Sequence, residues 1–269
     1  MENIRQAVER AKALSEQPSV SFQMPPQRPK HGLNVAQDGE ARGIELDRAH
    51  LQSHRIVAYD GKDPHSRPFD LLRTEVLRSM ELKGWKTLAV TSPTPNCGKT
   101  LVAINLALSM ARQPERQVCL VDLDLRKAQV ATSLGLRGRK GVLDIIEGRI
   151  DVESATAVAC VGSSRLEVLS TTPCSDSSDL VVSTAMRTFL QDLTGYEQSR
   201  IVVVDLPPLL TGHDCISVLP QVDCVLLVAA VGVSKVSEIE ECYKYLQGTN
   251  VVRFALNKVP KSAATYAYY

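Results

Sequence analysis

The stretch Thr91-Ser-Pro-Thr-Pro-Asn-Cys-Gly-Lys-Thr100 decides the fold, because an apolar run precedes it and an amphipathic run follows it. The first run, Thr87-Leu-Ala-Val90, predicts a strand, and the second, Leu101-Val-Ala-Ile-Asn-Leu-Ala-Leu-Ser-Met110, predicts a helix. The unpaired N–H groups and the positive dipole end of a helix start favour a phosphate group. We therefore expect a nucleoside triphosphate here, with Lys99 reaching its outer phosphates and Thr100 binding Mg²⁺.

The loop departs from the usual phosphate-binding pattern at two positions. Pro93 stands where the first glycine is expected, and Asn96 stands where a further glycine is common. Asn tolerates a positive φ better than most residues, so the chain can still turn there. An accidental Gly-Lys-Thr at a helix start is the alternative, but the flanking strand and helix favour nucleotide binding. The residues expected to contact the nucleotide are Asn96, Cys97, Gly98, Lys99, Thr100 and Leu101.

Two later apolar runs end in carboxylates. Val118-Cys-Leu-Val-Asp-Leu-Asp-Leu-Arg126 contains Asp122 and Asp124, and Arg200-Ile-Val-Val-Val-Asp-Leu-Pro-Pro208 contains Asp205. Nearly continuous apolar runs are typical of a parallel sheet covered on both faces, which collects its ligands at the carboxyl ends of its strands. Any one of these carboxylates is explained by a surface salt bridge. Three at one edge beside a phosphate loop favour a metal-binding and catalytic role.

Bulk composition narrows the class of protein. The 269 residues allow one α/β domain of about 200 residues with extensions. The formal net charge of +1 produces no strong positive potential that would attract nucleic acid, so no nucleic-acid partner is expected. Seven cysteines without a Cys-x-x-Cys pair indicate a reducing compartment. The first residues lack the apolar segment of a signal peptide, so we expect a cytoplasmic protein that reaches a membrane only through a partner.

The chain divides into four parts. Residues 1–16 predict an amphipathic helix, residues 17–45 a proline-containing linker, residues 46–260 the main domain and residues 261–269 a tail. Strand and helix patterns alternate in the main domain, which predicts an α/β fold with a mostly parallel twisted sheet and helices on both faces. The predicted strands are 86–91, 117–122, 165–169, 200–205, 223–230 and 250–256, and the predicted helices are 68–81, 99–113, 127–134, 141–148, 180–194, 213–219 and 234–247.

The tail is rich in tyrosine. Tyr266, Tyr268 and Tyr269 lie in its last four residues, although the whole chain has only 7 tyrosines. We predict that these three are phosphate acceptors. The alternatives are an anchor for a partner or an accident of composition.

On these motifs the chain resembles the bacterial tyrosine kinases of polysaccharide export and chain-length control, in their cytoplasmic form. The resemblance covers roughly residues 45–262 and the tail. Related cell-division and partition ATPases carry a second lysine where this chain has Thr94, which favours the kinases. The matching elements are Thr91–Thr100 as an altered Walker A motif, Val121-Asp-Leu-Asp-Leu-Arg126 as a second Walker A-like motif, Val202-Val-Val-Asp205-Leu-Pro-Pro208 as Walker B, Leu134-Gly-Leu with Gly141-Val-Leu-Asp144, Asp223-Cys-Val-Leu-Leu-Val228, and Leu256-Asn257-Lys258.

The resemblance implies an autokinase that uses ATP and Mg²⁺ and regulates exopolysaccharide or capsule synthesis. It implies a homo-oligomer that phosphorylates its tail tyrosines in trans and is recruited to the inner membrane by the cytoplasmic segment of a membrane activator. Asp122 or Asp124 is the candidate base for the tyrosine proton, and this choice stays open. The remaining implied roles are Mg²⁺ binding for Thr100, Asp122 and Asp205, charge stabilisation or orientation for Arg126, phosphate binding for Lys99, and adenine contact for Asn257.

Two departures from the family pattern leave the function and the oligomer open. The loop reads Pro95-Asn-Cys-Gly-Lys99 where the family usually has Pro-Gly-Glu-Gly-Lys. The family's Glu-x-x-Arg-x-x-Arg oligomer element is replaced by Arg67, Asp70 and Arg73, so the first two charges are exchanged. The alternative functions are a nucleotide-dependent switch or scaffold ATPase without kinase activity, and a binding module without turnover.

Overall fold

The computed structural model describes residues 43–136, 141–174, 178–195 and 199–260. The predicted N-terminal helix, most of the predicted linker and the tyrosine-bearing tail lie outside the described residues. The first described strand begins at Ile44, inside the range predicted as linker.

A single eight-stranded sheet organises the described part of the chain. Its order is β1-β4-β5-β3-β6-β2-β7-β8, and all neighbours are parallel except β4 and β5, which form an antiparallel hairpin. The prediction of a mostly parallel sheet is confirmed. The strands are β1 Ile44–Glu45, β2 Thr87–Thr91, β3 Gln117–Asp122, β4 Ala157–Val161, β5 Ser164–Leu169, β6 Arg200–Asp205, β7 Cys224–Ala230 and β8 Asn250–Asn257.

Helices follow the strands along the described chain. None of those helices combines the length and apolar character that crossing a bilayer requires. Short 3₁₀ turns at Pro64–Ser66 and Leu219–Gln221 join longer elements. The helices are α1 Arg48–Ser53, α2 Arg67–Lys83, α3 Lys99–Ala111, α4 Val130–Leu134, α5 Val142–Ile146, α6 Val152–Ala155, α7 Ser178–Val181, α8 Thr184–Gly195, α9 His213–Val218 and α10 Val236–Tyr245.

The central strands are buried on both faces, as their continuous apolar sequences predict. In β2, Leu88 and Val90 point into a core shared with α2 and α3, and Ala89 points into a second core shared with α8 and α9. Burying each large side chain contributes about 1.5–3 kcal/mol. The two cores fix β2, β3 and β6 side by side, and these strands carry the candidate site.

The structure divides one predicted helix and adds four short elements that were not predicted, namely β1, β4, α1 and α6. The predicted helix 180–194 is divided, because the Ser183 hydroxyl donates to Leu180 O at 2.7 Å and accepts from Met186 N at 3.1 Å. This side chain therefore ends α7 and caps α8. The hairpin strand β4 was not predicted, because its five residues become a strand only by pairing with β5 through the turn at Gly162.

Two of the three charged residues of the altered oligomer element, Asp70 and Arg73, bind within the chain. Asp70 Oδ1 accepts from Ser109 Oγ at 2.6 Å and from Arg112 Nη1 at 2.7 Å, both on or beside α3. Arg73 Nη1 donates to Ser109 O at 3.0 Å and lies 3.4 Å from Asp70 Oδ1. Asp70 and Arg73 therefore fasten α2 to α3 in this structure.

Candidate functional site

The loop between β2 and α3 turns through two left-handed residues. Asn96 has φ 65° and Gly98 has φ 90°. Asn96 therefore adopts the positive φ that the sequence predicted. Glycine is required at position 98 for two reasons. Its backbone is left-handed, and a Cβ at this position would lie 2.3 Å from Nδ2 of Asn257.

The first turn of α3 brings Lys99 and Thr100 against two of the predicted carboxylates. Lys99 Nζ lies 2.7 Å from Asp124 Oδ2 and 3.5 Å from Asp205 Oδ1. Thr100 Oγ1 donates to Asp205 Oδ2 at 2.6 Å, and Lys99 Nζ donates to Thr100 Oγ1 at 3.1 Å. Four predicted site residues thus form one buried, hydrogen-bonded cluster.

Sheet topology explains why these residues meet. β6 lies between β3 and β2, with Asp205 in register with Asp122 on one side and with Val90 on the other. All three strands are parallel, so their carboxyl ends share one edge. The loop that follows β2 then returns over this edge and places Lys99 above both neighbouring strands.

Asp122 and Asp124 have different surroundings. The side chain of Asp122 is fully buried, and its two oxygens accept N–H groups from Asp124 and Val130, each at 3.1 Å. It therefore holds the turn that leads from β3 into α4. Asp124 pairs with Lys99 and lines the cavity above the loop. Of the two candidate bases, Asp124 is the one that faces the cavity.

Burial determines the electrostatics of the cluster. Burial raises the pKa of Asp122 to about 8, and the neighbouring Asp205 carboxylate adds to this shift. Burial also raises the pKa of Asp205, although Lys99 and the Thr100 hydroxyl oppose the shift. For Lys99, burial lowers the pKa, but the carboxylates of Asp205 and Asp124 outweigh burial, and the net direction is upward. Lys99 therefore remains an ammonium group, whereas burial favours the neutral forms of Asp122 and Asp205.

A cavity of about 450 Å³ opens above the cluster. This volume falls within the range of small-molecule sites, roughly 300–1,000 Å³. The loop, the segment after β3, Pro207 and Pro208 after β6, and Lys258 after β8 all contribute to its walls. Leu101 and His54 also line the cavity. The sequence did not indicate His54 as a site residue, because it follows α1, a helix that was not predicted.

Arg126 lines the cavity and is held by a residue that the sequence reasoning missed. Its Nε lies 3.1 Å from Asp214 Oδ2, in the first turn of α9. Asp214 is buried, whereas about half of the Arg126 side chain is exposed. In the sequence, Asp214 can be recognised only as an acidic residue at the start of a predicted helix. Such residues are common for reasons unrelated to a functional site.

Asn257 contacts the phosphate loop itself. Its Nδ2 donates to Cys97 O at 2.9 Å, and its Oδ1 accepts from Lys258 N at 2.8 Å. The buried Cys97 thiol lies 3.3 Å from Ser234 Oγ on the segment after β7. Asn257 and Cys97 are not among the residues that line the cavity; they lie behind its wall, where they join the loop to the ends of β7 and β8.

The cluster is suited to a Mg²⁺ ion that is held by only a few protein ligands. Within the residues that the structure describes, no three His, Cys, Asp or Glu side chains converge on a metal position. Mg²⁺ commonly takes one or two carboxylates and completes its shell with water and substrate phosphates. The Thr100 hydroxyl and the Asp205 carboxylate, 2.6 Å apart, match that requirement. Asp122 stays a predicted ligand whose oxygens each already accept an N–H.

Comparisons with known proteins agree with this architecture. A family model described as ParA, NUBPL iron-transfer P-loop NTPase, matches residues 85–242. The chain is 31% identical to EpsB of Ralstonia solanacearum over 189 residues, or 70% of this chain and 25% of that protein. It is 28% identical to tyrosine-protein kinase etk of Escherichia coli K12 over 201 residues, or 73% of this chain and 27% of that protein.

The solved kinase domain of the Escherichia coli tyrosine kinase ETK superposes with a TM-score of 0.70. The identity is 26%, and the match covers 77% of this chain and 81% of that domain. The chain spans about a quarter of the length of the two full-length relatives. The similarity therefore concerns one domain of larger proteins.

Proposed function

The chain belongs to the ParA family of P-loop NTPases, and on that premise we propose that it is an ATP-dependent protein-tyrosine autokinase. One observation carries the proposal: Lys99, Thr100, Asp124 and Asp205 meet beneath a cavity of nucleotide size, in a domain similar to bacterial tyrosine kinases. Its biological role, as the resemblance implies, is the regulation of exopolysaccharide or capsule synthesis and export.

On the donor side, the protein holds and orients the triphosphate. The loop N–H groups and Lys99 bind the β- and γ-phosphates, and Lys99 exchanges its carboxylate partners for phosphate oxygens. Thr100 and Asp205 hold Mg²⁺, with Asp122 as the further predicted ligand. When bound, Mg²⁺ supplies neutralisation of the phosphate charge.

On the acceptor side, a tyrosine hydroxyl attacks the γ-phosphorus as the bond to the β,γ-bridging oxygen breaks, and ADP leaves. The phenol titrates near pH 10, so transfer is assisted by a base. We assign this base to Asp124, which takes the phenolic proton, because Asp124 faces the cavity and loses Lys99 as an ion-pair partner when phosphate arrives. Arg126, held by Asp214, stabilises the transferred charge.

The acceptors are Tyr266, Tyr268 and Tyr269. The chain leaves β8 at Asn257, and Lys258 lines the cavity, which supports a tail that begins beside a nucleotide site. We propose transfer in trans within a homo-oligomer that a membrane activator recruits to the inner membrane. Each phosphotyrosine carries a charge of about −1.5 to −2, so phosphorylated tails repel one another and loosen the assembly.

The decisive experiment incubates the purified protein with Mg-ATP and measures phosphotyrosine by blot, with phosphatase treatment as a check. The wild type acquires phosphotyrosine, and Lys99→Met does not. Lys244→Met is the matched control, because Lys244 lies exposed on α10, far from the loop in sequence, and forms an ion pair with Glu241 on the same helix. Labelling of Lys99→Met equal to wild type would refute the loop assignment.

A second experiment tests the acceptors and the alternative function. Removal of residues 266–269 eliminates most phosphotyrosine and spares ATP binding. Mass spectrometry that finds the label mainly at Tyr59 or Tyr196 contradicts the tail proposal. Release of free phosphate from ATP without any label on protein identifies a switch or scaffold ATPase instead.

A further inference from the structure

The end of β8 is tied to the phosphate loop by one carboxamide. Asn257 is partly buried, its Nδ2 donates to Cys97 O at 2.9 Å, and its Oδ1 accepts from Lys258 N at 2.8 Å. Both ends of this side chain are therefore fixed by backbone groups. One of these groups belongs to the loop that precedes Lys99.

The contact between Asn257 and the loop is close. A Cβ on Gly98 would lie 2.3 Å from Asn257 Nδ2, so the carboxamide packs directly against the Gly98 backbone. A second tie lies beside it, where the Cys97 thiol meets Ser234 Oγ at 3.3 Å. Ser234 is itself fixed, since its hydroxyl accepts from Ala230 N at 3.1 Å. The loop thus rests on the ends of both β7 and β8.

The hydrogen bond to Cys97 O sets the orientation of one peptide unit. In a planar trans peptide, the carbonyl and the following N–H point in opposite directions. Because Cys97 O points to Asn257, the N–H of Gly98 points away from β8. Gly98 lines the cavity, so this N–H is one of the donors available to a phosphate.

We propose that Asn257 is a positioning residue that holds the Cys97–Gly98 peptide with its N–H directed at the phosphate. This inference rests on the proposed nucleotide binding and concerns the phosphates, whereas the role expected for Asn257 from the sequence was contact with the base. The two roles differ in one respect: positioning of the loop affects every polyphosphate, including one that carries no base.

The test measures the binding of Mg-ADP and of magnesium tripolyphosphate to the full chain by titration calorimetry. Asn257→Ala removes one hydrogen bond to the loop, and we expect affinity for both probes to fall about three- to tenfold. Asn250→Ala is the matched control, because Asn250 begins the same strand and donates to Asp223 O at 3.0 Å at the opposite end of the sheet. We expect this control to bind both probes as the wild type does.

Asn257→Asp gives an independent readout that a merely structural role would not produce. Its carboxylate faces the Cys97 carbonyl, which is unfavourable at pH 7.5, whereas the protonated form, whose share grows as pH falls toward the ordinary aspartate pKa of about 3.9, can donate as the amide does. The ratio of wild-type to variant affinity for tripolyphosphate therefore decreases as pH falls. This variant also decides the question if Asn257→Ala fails to fold.

The outcomes separate the two levels of the argument. The inference is supported if Asn257→Ala loses affinity for both probes and Asn257→Asp regains affinity for tripolyphosphate at low pH. A loss for Mg-ADP alone shows base contact and overturns it, and so does unchanged binding by both variants. If the wild type binds neither probe, the proposed nucleotide binding fails, and the inference falls with it.

Discussion

Replacement of Lys99 by Met is expected to destabilise the protein as well as to prevent nucleotide binding. The ammonium lies 2.7 Å from Asp124 Oδ2 and 3.5 Å from Asp205 Oδ1, and only 8% of Lys99 is exposed. Lys99 is thus the counter-ion of a buried acidic cluster. Its removal leaves buried carboxylates without a counter-ion, which is one of the strongly destabilising changes a protein can undergo.

The expected loss is about 3–5 kcal/mol in the free energy of unfolding at pH 7.5. At an effective dielectric constant of about 20, each pair has a gross attraction of about 5–6 kcal/mol. Much of that sum is offset by desolvation of the charges and by repulsion between the carboxylates, so the range measured for broken buried pairs is the better guide. For a domain of this size, it corresponds to a decrease in melting temperature of roughly 6–20 °C.

The sign of the pH dependence follows from Asp205. Its pKa is already raised by burial, and without the ammonium the carboxylate is stabilised less. A carboxyl group with a raised pKa in the folded state favours folding below its unfolded pKa of about 3.9, and stability is lost as pH rises above that value. The deficit of Lys99→Met is therefore largest at pH 7.5 and smaller at pH 5.5.

Urea denaturation at pH 7.5 and pH 5.5 measures this effect. Lys244→Met is the control for loss of an exposed lysine, and we expect it to stay within about 0.5 kcal/mol of wild type. The double variant Lys99→Met/Asp124→Asn removes one orphaned charge and should recover part of the loss. Wild-type stability of Lys99→Met at pH 7.5, or a deficit that grows on acidification, would show that Lys99 does not neutralise the cluster.

Three further changes test other parts of the structure. Asp205→Asn should abolish the difference in ADP affinity measured with Mg²⁺ and with EDTA, because the charge beside the Thr100 hydroxyl is lost; a persistent difference contradicts the assignment. Asp70→Ala should cost about 2–4 kcal/mol in urea denaturation, since it leaves Arg112 and Ser109 without their shared acceptor, whereas Asp192→Ala on the exposed face of α8 should change little. Iodoacetamide at pH 8 should react with the partly exposed Cys160 and Cys174, and modification of the deeply buried thiols in the folded protein, read by mass spectrometry, would contradict their burial. Those thiols, whose pKa burial raises to about 12, are Cys119, Cys215 and Cys242.

The central part of the fold is predictable from the sequence because its strands are apolar throughout. A strand such as β7, with all seven residues buried, can be recognised without knowledge of its neighbours. The edge strands differ. β1 has only two residues, and β4 has an alternating burial pattern, so each is defined by its partner rather than by its own sequence.

The candidate site divides in the same way. Lys99, Asp124 and Asp205 were predicted together because the ends of parallel strands share one edge. The contact of Arg126 with Asp214 joins residues 88 positions apart, and the contact of Asn257 with Cys97 joins residues 160 positions apart. In the second contact the acceptor is a backbone carbonyl, which every residue possesses. No residue type therefore marks it in a sequence.

The two carboxylate partners of Lys99 have a consequence for how ligands are admitted. An incoming phosphate does not meet a free cation; it must displace Asp124 and Asp205 from that cation. We expect loading to be a competition between anions, in which a polyphosphate, with more charge and more oxygens, has an advantage over a single phosphate or a sulfate. The carboxylate partners of Lys99 thereby act as a filter that favours polyphosphates over abundant small anions.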